Sequence, residues 1–235
     1  MTAEKSAPAN PVATAAVDRL VGKRRAGYAD DAARLIGACR ELIAESGAFD
    51  PPVGQILERA GLSSRAFYRL FSTKEELLVA VLQDGTNTMV AHIEEQMAAA
   101  DGPVAQIEAW VRAALTPYGE AATSHTGSLL SHSRGWEKAF PEEMSTIRTE
   151  FLEPLVRAIR QSSPTADDTL TERAAEFIYY AYVGMASKSD ALGRALTGAD
   201  IDALCQCATL IATEFAAPTA SHQPRDKNPK EVASY

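Results

Sequence analysis

The chain has 235 residues, 46% hydrophobic and 23% charged, enough to build one large domain or a small module joined to a larger one. Its formal net charge of −8 confines any polyanion-binding role to a local patch, and no run approaches the roughly 18 apolar residues of a membrane-spanning helix.

Cys39, Cys205 and Cys207 form no disulfide framework, and Cys205-Gln206-Cys207 lacks a second ligand pair at metal-binding spacing, so all three read as small apolar core residues. The four histidines, His92, His125, His132 and His222, contain no HExxH pair. No metal or cofactor is implied. The first residues carry Glu4 and Pro8 where a secretory signal needs a basic start and an apolar run. The expectation is a cytoplasmic protein without a membrane partner.

Residues 1–18, rich in Ala, Pro, Asn and Thr, read as a disordered arm, and Pro218–Tyr235, polar with three prolines, as a disordered tail. Between them β-branched alternation is almost absent and Gly and Pro are widely spaced, which predicts an all-α fold. A first helix is expected from about Ala29, where Asp30 and Asp31 favour an N-terminus, to Ser46, with Gly47 as its stop. Leu35, Ile36, Cys39, Leu42 and Ile43 give it one apolar stripe. A short second helix follows, with Asp50 as cap and Pro51 in first position, and Val53, Ile56, Leu57 and Ala60 on its buried face. Gly61 breaks it. Ser63 caps a third helix ending near Phe71, and Thr73 with Glu76 has the spacing of a capping box for the fourth.

Two short helices about a Gly-containing turn form a helix-turn-helix, whose second helix enters the DNA major groove. On that helix Phe67, Leu70 and Phe71 share one side, while Arg65 and Arg69 lie opposite with Ser64 and Tyr68 beside them. Arg19 to Lys74 holds ten basic residues against six acidic ones in a chain of net negative charge. A basic end on an acidic body suits a module that meets a polyanion.

The stretch GLSSRAFYRLFSTKEELL, Gly61 to Leu78, preceded by VGQILERA, resembles the tetracycline-repressor-like (TetR) regulators over about Leu35 to Leu82. The resemblance implies a helix-turn-helix domain over about 19–74 and a helical effector-binding and dimerisation domain over about 75–217. It also implies that Tyr68 and Lys74 contact phosphates, and that Ser63, Ser64, Arg65 and Arg69 lie nearest the DNA, the arginines suited to bidentate pairing with guanine. Lys23, Arg24 and Arg25 either follow the backbone or enter the minor groove, or form a solvated basic run. Two positions depart from the family pattern: Pro51 to Gly54 replace its usual hydroxyl and polar residues, and Leu70 a usual histidine.

Beyond Thr73 the sequence predicts helices over about 73–100, 103–122, 125–139, 141–162, 167–194 and 198–216, with Pro117 and Pro154 expected to kink or split theirs. By resemblance the last two, with Ile178 and Leu204 among their apolar residues, would pair with a second copy as a homodimer; monomer core is the alternative. Trp110, Tyr118, His125, His132, Trp136, Phe140, Met144, Phe151 and Tyr179 are candidate lining for a chamber holding a hydrophobic or amphipathic small-molecule effector. The expected function is a ligand-responsive transcriptional regulator, most often a repressor in kind, bound to palindromic double-stranded DNA and not an enzyme. The alternatives are a constitutive DNA-binding module and a helical enzyme using His125 and His132.

Overall fold

The computed structural model describes residues 11–47, 50–119 and 136–215, with side chains from residue 21 to 214. Within them the chain is all-α: α1 Pro11–Ser46, α2 Val53–Ala60, α3 Ser64–Leu70, α4 Lys74–Ala98, α5 Pro103–Leu115, α6 Pro141–Ser162, α7 Asp168–Leu192 and α8 Gly198–Leu210. A 3₁₀ turn, Thr116–Tyr118, follows α5, and a π turn, Ile211–Phe215, follows α8.

Local chemistry sets most of these boundaries. Gly61 takes φ 63° and ψ 37°, and its N–H donates to the Glu58 carbonyl while that of Leu62 donates to Leu57, the left-handed closure that glycine adopts without strain. Ser63 Oγ accepts from Ala66 N and opens α3. Thr73 Oγ1 accepts from Glu76 N, but the Glu76 carboxylate reaches back to Ser72 N, at 2.6 Å, one residue before the position a capping box uses. A complete box does open α8, between Thr197 and Asp200.

Several expectations change. The first helix begins at Pro11, 18 residues before Ala29, so residues 11–18 of the expected disordered arm are helical. Ala13, Ala15 and Ala16 are of the type with the highest helix propensity, and residues 21–30 of the same helix are exposed on every side. Pro52, not Asp50, occupies the N-cap of α2. Pro117 ends α5 at Leu115, whereas Pro154 lies within an uninterrupted α6. Cys39 and Cys205 are core residues, but Cys207 is exposed. The rest of the expected arm, the tail 218–235 and most of the expected helix 125–139 lie outside the described residues.

Two apolar cores organise the chain. The first joins Leu35, Cys39 and Ile43 of α1, Ile56 and Ala60 of α2, Phe67 of α3, Leu77 to Leu82 along α4, and Met144 and Ile147 of α6. The second gathers Ile93 and Met97 of α4, Ile107, Trp110 and Leu115 of α5, Phe151 to Ile159 of α6, Ile178 and Tyr182 of α7, and Leu204, Cys205 and Ala208 of α8. Helices α4 and α6 therefore each serve both cores, and a boundary at residue 74 or 75 runs through the first.

Gly61→Ala should destabilise the fold by about 1 to 2 kcal/mol, the cost of an L-residue in the left-handed region, with a new Cβ 3.1 Å from Arg34 Nη2. Urea unfolding monitored by circular dichroism measures it.

Candidate nucleic-acid interface and aromatic cluster

The helix-turn-helix is held from below by α1. Arg34 donates from Nη2 to the Ala60 carbonyl at 2.6 Å and to Gly61 O at 3.3 Å, satisfying carbonyls that the end of α2 leaves without helical partners. Arg59 makes two 2.8 Å hydrogen bonds to the Glu45 carboxylate and one of 3.3 Å to Glu41. These bonds hold the Glu45 carboxyl below its ordinary range. Arg40 ties α1 to α4 through Asp84 at 2.6 Å. None of these pairs was singled out by the sequence; only the acidic and basic residue types were visible.

On α3, Phe67 is fully buried, with Tyr68 edge-on to it at 5.2 Å. This places Ser64, Arg65, Tyr68 and Arg69 on the exposed side. Tyr68 is 64% exposed, which leaves its hydroxyl to solvent. Ser63 is spent capping the helix. Arg65 makes no ion pair among the described residues. Arg69 differs: its Nη2 lies 2.7 Å from Asp31 Oδ2, and its guanidinium carbon stands 4.7 Å over the ring centre of Tyr28. Lys74 is also engaged, against the carboxylate of Asp50 and 3.4 Å from the Pro51 carbonyl.

Half of the ten basic residues between Arg19 and Lys74 are thus engaged by the scaffold. Arg34, Arg40, Arg59, Arg69 and Lys74 all meet carboxylates, while Arg65, Lys23, Arg24 and Arg25 project unpaired among the described residues. The last three sit on the exposed length of α1.

Residues 35–81 match the family model of bacterial regulatory proteins, tetR family. This segment therefore carries the DNA-binding module of the tetR family. The module is the DNA-binding helix-turn-helix of bacterial regulatory proteins. Among solved structures, it resembles the fatty acid degradation regulator FadR from Bacillus halodurans at 18% identity and TM-score 0.59, covering 80% of this chain and 97% of that one. A TetR transcription regulator from Haloarcula marismortui aligns at 17% identity and TM-score 0.60, over 80% and 98% of the two chains. FadR from Bacillus subtilis, in complex with stearoyl-CoA, aligns at 16% and 0.50 over 77% and 97%. At these identities the likeness establishes the fold. No curated protein matches the sequence.

The candidate chamber divides in two. Trp110, Tyr118, Phe151 and Tyr179 come together around Tyr182, a residue the sequence did not single out. Its ring centre lies 6.0 Å from Trp110, 6.3 Å from Tyr118, 5.4 Å from Phe151 and 6.2 Å from Tyr179. Trp136, Phe140 and Met144 instead belong to the core beneath the helix-turn-helix. His125 and His132 lie outside the described residues. A separate surface cleft of about 420 Å³ opens among Asn87, Val90, Ala91, Glu150 and Glu153, with no aromatic lining.

Burial raises the phenols of Tyr118, Tyr179 and Tyr182 above their ordinary range. The neighbouring Tyr182 adds to the rise at Tyr118. Such groups favour the folded state while neutral. Stability should therefore be intact below the unfolded phenol value of about 10 and fall as pH rises through it, because only the unfolded chain then loses the protons. Tyr182→Phe should flatten that alkaline loss, measured by thermal unfolding from pH 8 to 11.

Proposed function

We propose that the chain is a ligand-responsive repressor that binds roughly palindromic DNA as a homodimer paired through α7 and α8, in the cytoplasm. The observation that carries the dimer is the apolar outer face of these helices. Tyr180 is 58% exposed, Phe177 54% and Leu210 60%, with Gly184 and Cys207 exposed beside them. Large apolar side chains left exposed on neighbouring helices support an association site. A two-fold pairing gives the molecule two recognition helices for two half-sites, spaced one helical turn or a multiple apart.

The interface differs from the one the apolar residues alone suggested. Ile178 and Leu204 are 0% and 5% exposed and point into the protein's own core. A charge at either position tests folding, not association.

Each DNA contact belongs to this reading. Arg65 and Ser64 would face base edges, Tyr68 a phosphate, and Lys23, Arg24 and Arg25 the backbone or minor groove. The effector would be a hydrophobic or amphipathic small molecule seated at the aromatic cluster of Trp110, Tyr118, Phe151, Tyr179 and Tyr182. Support comes from the phenol hydroxyls, which offer the few polar handles such a site needs, and from the fold shared with FadR of Bacillus subtilis, which holds stearoyl-CoA.

Leu210→Asp or Tyr180→Asp should yield a folded monomer by sedimentation at micromolar concentration, with unfolding close to wild type. Leu204→Asp and Ile178→Asp should instead unfold the chain, since each buries an unpaired carboxylate. A wild-type monomer that shifts DNA tightly overturns the dimer.

For the function itself, mobility-shift titration on the DNA flanking its own gene should show a specific complex that weakens steeply with salt. Fatty acyl and aromatic compounds added to that complex should release it with a quench of Trp110 fluorescence. Binding without release overturns the effector while leaving DNA binding intact.

A further inference from the structure

Arg65 and Arg69 stand one turn apart on the same face of α3, yet the structure treats them differently. Arg65, second residue of the helix, is exposed and unpaired among the described residues. Arg69, sixth of seven, is turned toward α1. There its Nη2 meets Asp31 Oδ2 at 2.7 Å and its face covers Tyr28 at 4.7 Å. The other oxygen of Asp31 lies 3.9 Å from Arg34, the residue that closes the end of α2. One carboxylate thus links the arginine under the turn to the arginine on the recognition helix.

We propose that Arg69 is a positioning residue, clamped by Asp31 and Tyr28 to fix the attitude of α3, and that Arg65 alone of the two arginines reads base edges. The assignment rests on α3 being the helix that enters the groove. Two arguments favour it over a pair of reading arginines. Recognition helices present their N-terminal residues to the bases, and Arg65 is there while Arg69 is not. Releasing Arg69 toward DNA would also leave the Asp31 carboxylate, 21% exposed at its side chain, facing a polyanion with its nearest remaining cation at 3.9 Å. The pair and the stacking together hold the side chain by a factor of roughly 3 to 30, which bounds what the clamp contributes to docking.

The test uses the full-length chain and a library of DNA duplexes randomised over the central base pairs. Wild type, Arg65→Ala, Arg69→Ala, Arg69→Lys, Asp31→Asn and the Asp31→Asn/Arg69→Ala double variant are compared for enriched sequence, affinity and the slope of log affinity against log salt. Arg65→Ala should lose base preference at a defined position. Arg69→Ala should keep the wild-type preference and salt slope while weakening all duplexes alike, by up to roughly 3- to 30-fold. Arg69→Lys, which retains the charge pair, should recover part of that loss and serves if the alanine variant does not fold. Asp31→Asn should free Arg69 for DNA and steepen the salt slope by about one, the signature of an added phosphate contact, and the double variant should not. The proposal is overturned if Arg69→Ala or Arg69→Lys erases a preferred base, if Arg69→Ala lowers the slope by about one or leaves affinity unchanged, or if Asp31→Asn acts equally with and without Arg69. Failure of the wild type to enrich any sequence overturns the DNA-reading role of α3 itself.

Discussion

Helix α4 belongs to two apolar cores at once, and the arrangement of the molecule depends on that. Its first half places Leu77, Leu78, Val81 and Leu82 under the helix-turn-helix, and its far end places Ile93 and Met97 in the core shared with α5 and α6. A helix of 25 residues is about 37 Å long at 1.5 Å per residue. Close-packed cores at both ends do not deform smoothly. A change in packing around Met97 must therefore be taken up by the helix as a rigid displacement or be refused, and α6 repeats the constraint, with Met144 and Ile147 in one core and Phe151 to Ile159 in the other. The head is built with pieces of the body.

The surface electrostatics follow from the same architecture. Of the ten basic residues in the head segment, five are held by carboxylates, where they fasten the short helices to α1 and α4. Alone, α2 and α3, with 8 and 7 residues, are below the length at which a helix is stable in water. The packing of Ile56, Ala60 and Phe67 supplies most of what they lack. Arg34 at the turn and Arg59 on Glu45 add orientation, though exposed pairs of this kind contribute only about 0.2 to 1 kcal/mol each. Carboxylates on α1 thus organise the DNA-binding face although they repel DNA, and each of Asp31, Glu41 and Glu45 is matched to an arginine.

What could be read from the sequence was what local chemistry decides. Gly61, Ser63 and Thr73 fix backbone geometry within three or four residues, and each stands where the sequence put it. The outward placement of Arg65 follows from the spacing of Phe67, Leu70 and Phe71. The start of α1 was missed because an Ala- and Pro-rich segment composes like a disordered arm while its alanines individually favour helix. The fates of Ile178 against Tyr180, and Leu204 against Leu210, were not legible, since apolar residues surround α7 and α8 and only the packing of α5 and α6 decides which face is inside. Aromatic residue type likewise could not separate Phe140, beneath the head, from Phe151, in the body. The pairing of Arg69 with Asp31, 38 positions away, lies beyond any local pattern.

The phenol cluster sets a condition on any effector seated in the body. Tyr118 and Tyr182 are 5% and 4% exposed, so a ligand that enters between them must leave their hydroxyls with polar partners; an unpaired buried hydroxyl costs about 1 to 3 kcal/mol. That favours ligands carrying a polar atom on an apolar frame over pure hydrocarbon. The cost also provides the lever for control, because a ligand changes DNA affinity only by the difference in its own affinity for the two conformations. Coupling of about 1 to 3 kcal/mol, or 5- to 150-fold, is typical of such systems. Phe151, whose ring centre stands 5.4 Å from Tyr182, lies on α6 one turn beyond Ile147 of the head core. The aromatic cluster and the core beneath the helix-turn-helix are thus one turn apart on α6, and α4 spans the same two cores.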